Sequence, residues 1–229
     1  MYKRQAGGFD FDLGFLIQKE YDPSVFFLPV DFFYLVLLGI IIGIFAELYS
    51  RYVLLMQNLG KKWYKNKFVL KMSICGLILG SIYSFLPSTF HNLDELQKII
   101  AEQNTSIGIA LLAVLVLFIT TGLAAASGAP GGLFYPMLTL GGSIGLIVGS
   151  WVEIATGHAP STYIFAGMGA FVAGCSRTPI TAMFLAFALT KNLLIMKPVL
   201  ISCIASFVIA RAFNEESIYE RQIQIELED

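Results

Sequence analysis

The feature that most constrains this chain is a long stretch without basic residues, from Ile99 to Ser176, in which Glu102 and Glu153 are the only acids. Only 14% of all residues are charged, whereas a soluble domain has roughly a quarter. Such a chain needs a bilayer as its solvent. There the backbone must bond to itself, as a helix does. The sequence therefore predicts an all-α integral membrane protein.

The apolar runs predict about nine helices, several of them tilted, broken or re-entrant. Long runs occupy 33–49, 68–86, 106–126 and 133–155, and shorter ones, cut by glycine and proline, occupy 164–175, 180–190 and 199–213. Helices this short are tolerated where their free ends line a cavity inside the protein. Residues 51–71 carry six basic residues and no acid, which predicts a cytoplasmic loop. The polar segment 88–104 is expected on the opposite side as a short amphipathic helix.

Composition argues against several classes of function. A net charge of −1 argues against a nucleic-acid partner. The three cysteines are far apart and form no CxxC pair, so neither a metal site nor a disulfide framework is predicted. The two histidines, His91 and His158, lie far apart in loops, and no nucleophile motif occurs. We therefore expect no enzyme activity and no cofactor.

The stretch SGAPGGLFYPMLTLGG, residues 127–142, is the strongest candidate for a binding site. A helix beginning at about Leu133 has unpaired N–H groups in its first turn, and an anion is a suitable partner for them. Gly128, Gly131 and Gly132 leave the backbone bare for close approach, and Pro136 fits the first turn. Because the stretch carries no positive side chain, we expect moderate binding, as suits transport.

Close helix packing is the alternative explanation for these glycines, because small residues let membrane helices approach. Gly141, Gly145 and Gly149 follow a four-residue spacing and are predicted to serve packing alone. The physics of the stretch leaves anion binding and packing both open for residues 127–136.

Four stretches in order resemble the CLC family of chloride channels and proton-coupled chloride transporters. They are the glycine-rich signature, FYLVLLGIIIGIFAELYSRYVLLMQNL from 33, FAGMGAFVAGCSRTPITAMFLAFALT from 165, and SIYERQI from 217. The resemblance implies that the amides of Leu133 and Phe134 and the hydroxyl of Tyr219 bind a chloride midway across the membrane. Taken alone, Tyr219 reads as an interfacial aromatic residue. Arg177 reads as a helix cap or, alternatively, as part of a chloride vestibule.

The resemblance also implies the wider setting of the chain. We expect the second half of the CLC fold, chloride as transported ion, contact with membrane lipid, and a homodimer formed partly through residues 165–212. A bacterial inner membrane or a plasma membrane is the expected location. The predicted organisation is an N-terminal segment 1–8, a transmembrane half-domain 9–213, and an ion-site helix with a cytoplasmic tail over 214–229. The first five residues, MYKRQ, resemble translated adapter DNA.

Some features that the resemblance leads one to expect have no match here. No residues match the family's serine-containing loop, gating glutamate or proton-transfer glutamate, and Ala188 stands where a glutamate is common. Glu20 and Glu47 do not lie in such motifs. We therefore expect a fragment that supplies part of the anion site and does not conduct by itself.

Two other functions remain open at this point. A secondary transporter with broken helices could use the same glycine-rich helix start to bind a carboxylate substrate. An integral-membrane enzyme would need a nucleophile, base or metal cluster, for which the sequence offers no candidate.

Overall fold

The structure, a computed structural model, describes residues 29–63, 68–101, 105–128, 132–156, 162–190 and 193–227. Within these ranges it is all-helical, as predicted, with nine α-helices and two short 3-10 turns at Ser88–Phe90 and Leu193–Ile195. The predicted segment 1–8 and Gly131 lie outside the described residues. The helices are α1 Pro29–Trp63, α2 Phe68–Ser84, α3 Leu93–Ala101, α4 Ile107–Ser127, α5 Phe134–Thr156, α6 Thr162–Ser176, α7 Pro179–Thr190, α8 Met196–Phe213 and α9 Ile218–Leu227.

The first helix, α1, is longer than its apolar run. It has 35 residues and continues to Trp63, through part of the basic segment that we expected to be a loop. Lysine and arginine are good helix formers, so a charged segment extends a helix once the apolar part has nucleated it. Asp31 in the first turn and Lys61 and Lys62 in the last turn suit the helix dipole.

Four helices, α1, α5, α6 and α8, pack closely around the core. A Cβ atom added at Gly141 would overlap the carbonyl oxygen of Gly167 in α6, and one at Gly145 would overlap that of Tyr163. At Gly149 an added Cβ would lie 3.1 Å from the Tyr163 Cβ. The glycines of α5 therefore serve close packing against α6, which confirms the prediction from their spacing.

Hydroxyl groups also join the core helices. Ser202 of α8 donates to the Leu35 carbonyl of α1 over 3.0 Å, and Ser206 donates to the Ala170 carbonyl of α6 over 2.7 Å. Both serines are fully buried. In a bilayer the hydrophobic effect does little to drive helices together. Hydrogen bonds between helices therefore help to hold the centre of a membrane protein together.

Four segments of the described chain are long and apolar enough to cross a membrane: Asp31–Lys62, Ile107–Ser127, Phe134–Thr156 and Met196–Leu227. The shorter apolar helices α2, α6 and α7 have 17, 15 and 12 residues. As expected, α3 is amphipathic: it buries Leu96 and Ile100 and packs mainly on α5. The chain is a multi-pass membrane protein in which the short helix α6 packs against α1, α5 and α8, and α7 packs against α6 and α8.

Candidate functional site

The glycine-rich stretch runs from the end of α4 into the first half of α5, and the structure describes it at 127–128 and 132–142. Gly128 ends α4 in the left-handed region, with φ 73°, and its N–H donates to the Ala125 carbonyl over 3.2 Å. Glycine adopts this conformation without the penalty that a side chain brings. On the other side of the turn, a Cβ added at Gly132 would meet no atom within 4 Å. The backbone at Gly132 therefore borders open space.

The helix that follows begins one residue later than predicted. Phe134 is its first residue, and Leu133 precedes it as the cap whose carbonyl accepts the Met137 N–H over 3.1 Å. Helix geometry gives the N–H groups of this first turn no carbonyl within the helix. Pro136 lies in the first turn, where its missing N–H is harmless, as predicted. The amides of Leu133 and Phe134 thus lie at the positive N-terminal end of α5.

A cavity of about 540 Å³ lies against this turn. Gly128, Gly132, Leu133 and Pro136 line one side of it. The opposite walls come from the end of α1, the start of α2, the end of α4 and α9, through Gln57, Lys61, Lys71, Thr121, Ala124, Ala125, Gln222 and Glu226. The bare backbone therefore faces a space large enough for a small hydrated ion.

Two lysines in this wall change the electrostatic picture drawn from the sequence. The glycine-rich stretch has no positive side chain of its own, but Lys61 and Lys71 line the same cavity. Lys61 Nζ donates to the Ile225 carbonyl over 2.9 Å, and Lys71 Nζ to the Gly60 carbonyl over 3.4 Å. Both ammonium groups favour an anion over a cation in the cavity, although Glu226 offsets part of their charge.

Tyr219 lies in the first turn of the last helix, α9. A capping box starts that helix: the Ser217 N–H donates to Glu220 Oε2 over 2.6 Å, and the Glu220 N–H donates to Ser217 Oγ over 3.2 Å. Tyr219 precedes Gln222 and Glu226 by three and seven residues, so the three lie on one face of α9. The phenol is 40% exposed and is not in the cavity wall.

A buried ion cluster lies beside the start of α9. Glu47 of α1, only 3% exposed, accepts bonds from three arginines. Arg221 of α9 binds both carboxylate oxygens, at 3.2 and 3.1 Å, and Arg177 Nη2 binds Oε2 at 2.7 Å. Arg51, one turn along α1, binds Oε1 at 2.9 Å. One carboxylate thus joins α1, the end of α6 and α9.

Arg177 ends α6 in an unusual backbone conformation. Its φ is 61°, in the left-handed region where glycine is usual, and its N–H donates to the Ala173 carbonyl over 3.0 Å. The side chain is buried and donates twice to the Asn214 carbonyl, over 3.2 and 3.0 Å, besides its bond to Glu47. Arg177 is therefore a helix cap, as one interpretation of the sequence had it, and also a bridge to the segment before α9.

Four of the predicted site residues come together and two do not join them. Gly128, Gly132, Leu133 and Pro136 share the cavity wall, whereas Phe134 and Tyr219 are not among its lining residues. Sequence reasoning missed Lys61 and Lys71 in the cavity wall, and Arg177 and Arg221 as partners of Glu47, because these residues are distant in the chain from the groups they meet. It also missed Arg51, which lies one turn from Glu47 on α1. The one available signal was charge: Glu47 is an acid within an apolar run, and such residues are costly unless paired.

Comparison with known proteins identifies relatives of this chain. The family model described as voltage gated chloride channel matches residues 10–211. The H(+)/Cl(-) exchange transporter ClcA of Vibrio parahaemolyticus is 29% identical over 191 residues, which are 81% of this chain and 41% of the relative. That of Klebsiella pneumoniae is 30% identical over 203 residues, which are 86% of this chain and 43% of the relative. The chain spans about two fifths of the length of these curated relatives.

Solved structures show the same fold. The crystal structure of a slow cyanobacterial Cl−/H+ antiporter matches with a TM-score of 0.77 at 23% identity, covering 89% of this chain and 48% of the other. The crystal structure of a eukaryotic CLC transporter matches with a TM-score of 0.70 at 21% identity, covering 88% and 36%. The helical arrangement is thus shared across distant sequences.

Proposed function

Because the chain belongs to the voltage-gated chloride channel family, we propose that it contributes to chloride transport across a membrane, as part of a channel or an H+/Cl− antiporter. In this proposal the amides of Leu133 and Phe134 and the hydroxyl of Tyr219 bind the ion. Gly128, Gly131, Gly132 and Pro136 shape the turn that lets it approach. The similarity to H(+)/Cl(-) exchange transporters supports the antiporter form of the proposal.

The single observation that carries the proposal is that Gly132, Leu133 and Pro136, at the start of α5, line the cavity. First-turn amides point their partial positive charge at such a space, and the helix dipole adds roughly 0.3–1 kcal/mol for an anion. Gly132 leaves room beside the backbone, and Lys61 and Lys71 raise the local concentration of anions. Among the described residues of these walls, Glu226 is the only carboxylate, so they offer no cation site of comparable build.

A matched pair of variants at Phe134 tests whether its backbone amide binds the ion. Phe134→Pro removes the N–H at the first helical position, where proline is well tolerated, whereas Phe134→Ala removes the ring and keeps the N–H. We expect Phe134→Pro to weaken chloride binding by roughly tenfold, the value of one hydrogen bond, and Phe134→Ala to change it much less. Isothermal titration of the purified chain in detergent measures both.

The results of these titrations distinguish chloride binding from binding of a carboxylate substrate and from a packing role of the glycines. Equal losses in the two variants would show that the ring matters and the amide does not. Tighter binding of acetate or succinate than of chloride in the unmodified chain would favour the carboxylate transporter instead. Binding of neither ion would leave the glycines of this turn with a packing role and overturn the proposal.

We further propose a homodimer in the lipid bilayer, with no organic cofactor and no enzyme activity. Large apolar side chains lie exposed on α7 and α8, including Ile180, Phe184, Ile204 and Val208. These helices fall within the region that the family resemblance assigns to the subunit contact. In a membrane, such a surface can contact either lipid or a second subunit. Close packing of these helices against the same helices of a second copy would identify a subunit contact.

A further inference from the structure

We infer that Glu47 positions Tyr219 for the anion, by fixing the start of α9 through Arg221 and Arg177. The inference rests on the proposed function for its chloride readout, and it adds a residue that the resemblance does not assign to the site. Glu47 is not among the described residues that line the cavity. Its role is therefore to hold the helix that carries the phenol.

The first connection runs directly from α1 to α9. Arg221 lies two residues after Tyr219, and its guanidinium binds both oxygens of Glu47 in a two-point contact. A planar fork that meets a carboxylate in this way fixes direction as well as distance. Because Arg221 is in the first turn and a half of α9, the contact fixes the orientation of the turn that holds Tyr219.

The second connection runs through the end of α6. Arg177 joins Glu47 Oε2 to the Asn214 carbonyl, and Asn214 in turn accepts the Glu216 N–H at its side-chain oxygen over 2.9 Å. The segment between α8 and α9 is thereby held at the same carboxylate. Both the approach to α9 and its first turn depend on one buried group.

The rest of α9 is held independently of Glu47. Lys61 donates to the Ile225 carbonyl, and Gln222 Nε2 donates to Gln57 Oε1 over 3.3 Å. Loss of the Glu47 contacts should therefore free the start of α9 while its far end stays attached to α1. Arg221 Nε and Arg177 Nη1 have no hydrogen-bond partner within the described part of the chain, and Glu47 is the one carboxylate there that pairs with either arginine.

The chain offers a matched control for this inference. Arg51 binds the same carboxylate over 2.9 Å, but it belongs to α1 itself and its side chain is 58% exposed. Arg51→Gln therefore removes one arginine from Glu47 without releasing α9, whereas Arg221→Gln removes one and releases it. Any general effect of losing positive charge near Glu47 is common to both variants.

Hydrogen exchange of the full 229-residue chain in detergent tests the attachment without any ion. We expect the amides of 214–221 to exchange roughly tenfold faster in Arg221→Gln and to be unchanged in Arg51→Gln. Equal exchange in the two variants would overturn the inference. If Arg221→Gln yields no folded protein, Arg221→Lys keeps the charge but not the fork, and roughly threefold faster exchange is expected there.

Chloride titration tests the link to Tyr219. We expect Arg221→Gln to weaken chloride binding by about tenfold, as loss of one hydrogen bond would, and to cause no further loss in a Tyr219→Phe background. Additive losses, or an unchanged affinity in Arg221→Gln, would overturn the inference while the proposed function stands. Absence of chloride binding in the unmodified chain would instead overturn the proposed function.

Discussion

Burial of Glu47 carries a large free-energy cost. A carboxylate removed from water costs several kcal/mol, and only close charged partners with good geometry offset it. Three arginines supply those partners from α1, the end of α6 and α9. The guanidinium of Arg177 reaches Glu47 from a left-handed backbone that costs of order 1–3 kcal/mol for a residue other than glycine. The strained backbone thus belongs to a residue whose side chain joins Glu47 of α1 to Asn214, before α9.

Glu47→Gln should lower the stability of the chain by roughly 3–5 kcal/mol, because it leaves two buried arginines without a charged partner. Thermal unfolding in detergent, followed by circular dichroism, measures the change. Glu153→Gln, at an exposed position of α5, serves as the control and should shift stability by less than about 0.5 kcal/mol. A Glu47→Gln variant as stable as the control would mean that the cluster is solvated rather than buried.

The helices themselves were largely predictable from the sequence. The apolar runs at 106–126 and 133–155 correspond to α4 Ile107–Ser127 and α5 Phe134–Thr156, each displaced by one residue. The exception is the end of α1, where positive charge predicted a loop and helix propensity extended the helix instead. The distribution of positive charge predicts on which side of the membrane a segment lies. It does not predict where a helix ends, because that depends on the helix propensity of the residues that follow.

The α5–α6 contact leads to a prediction with its own control. Gly141→Ala places a Cβ against the Gly167 backbone and should destabilise the chain by about 1–3 kcal/mol through overpacking. Gly76→Ala in α2 meets no atom within 4 Å and should stabilise it slightly, because alanine favours the helix. Thermal unfolding of the two variants side by side gives the comparison. Equal effects would show that α5 and α6 separate in the membrane.

The candidate site could be predicted in part. The helix start at Leu133 and Phe134 was visible because glycine and proline mark it locally. The place of Lys61 and Lys71 in the cavity wall was not, and neither were the contacts of Arg177 and Arg221 with Glu47, because no local pattern reports contacts between residues distant in the chain. The position of Tyr219 as an ion ligand stays a prediction.

At the scale of the whole molecule, chloride transport by these 229 residues alone is not expected. The chain spans about two fifths of the ClcA relatives, and its sequence matches none of the serine or glutamate motifs that the family resemblance would lead one to expect. Purified chain in liposomes should show chloride efflux no faster than empty liposomes, measured with a chloride electrode. A protein-dependent efflux blocked by Phe134→Pro would contradict this expectation and would place a complete pathway in the described helices.

The length of α1 has a consequence for hydration. Thirty-five residues of α-helix extend roughly 52 Å, whereas the hydrocarbon layer of a bilayer is about 30 Å thick. The surplus carries the basic end of α1 to the headgroups and the water beyond them. Under the proposed function, an anion beside Lys61 would therefore keep its water shell there and exchange it for backbone amides only at the start of α5.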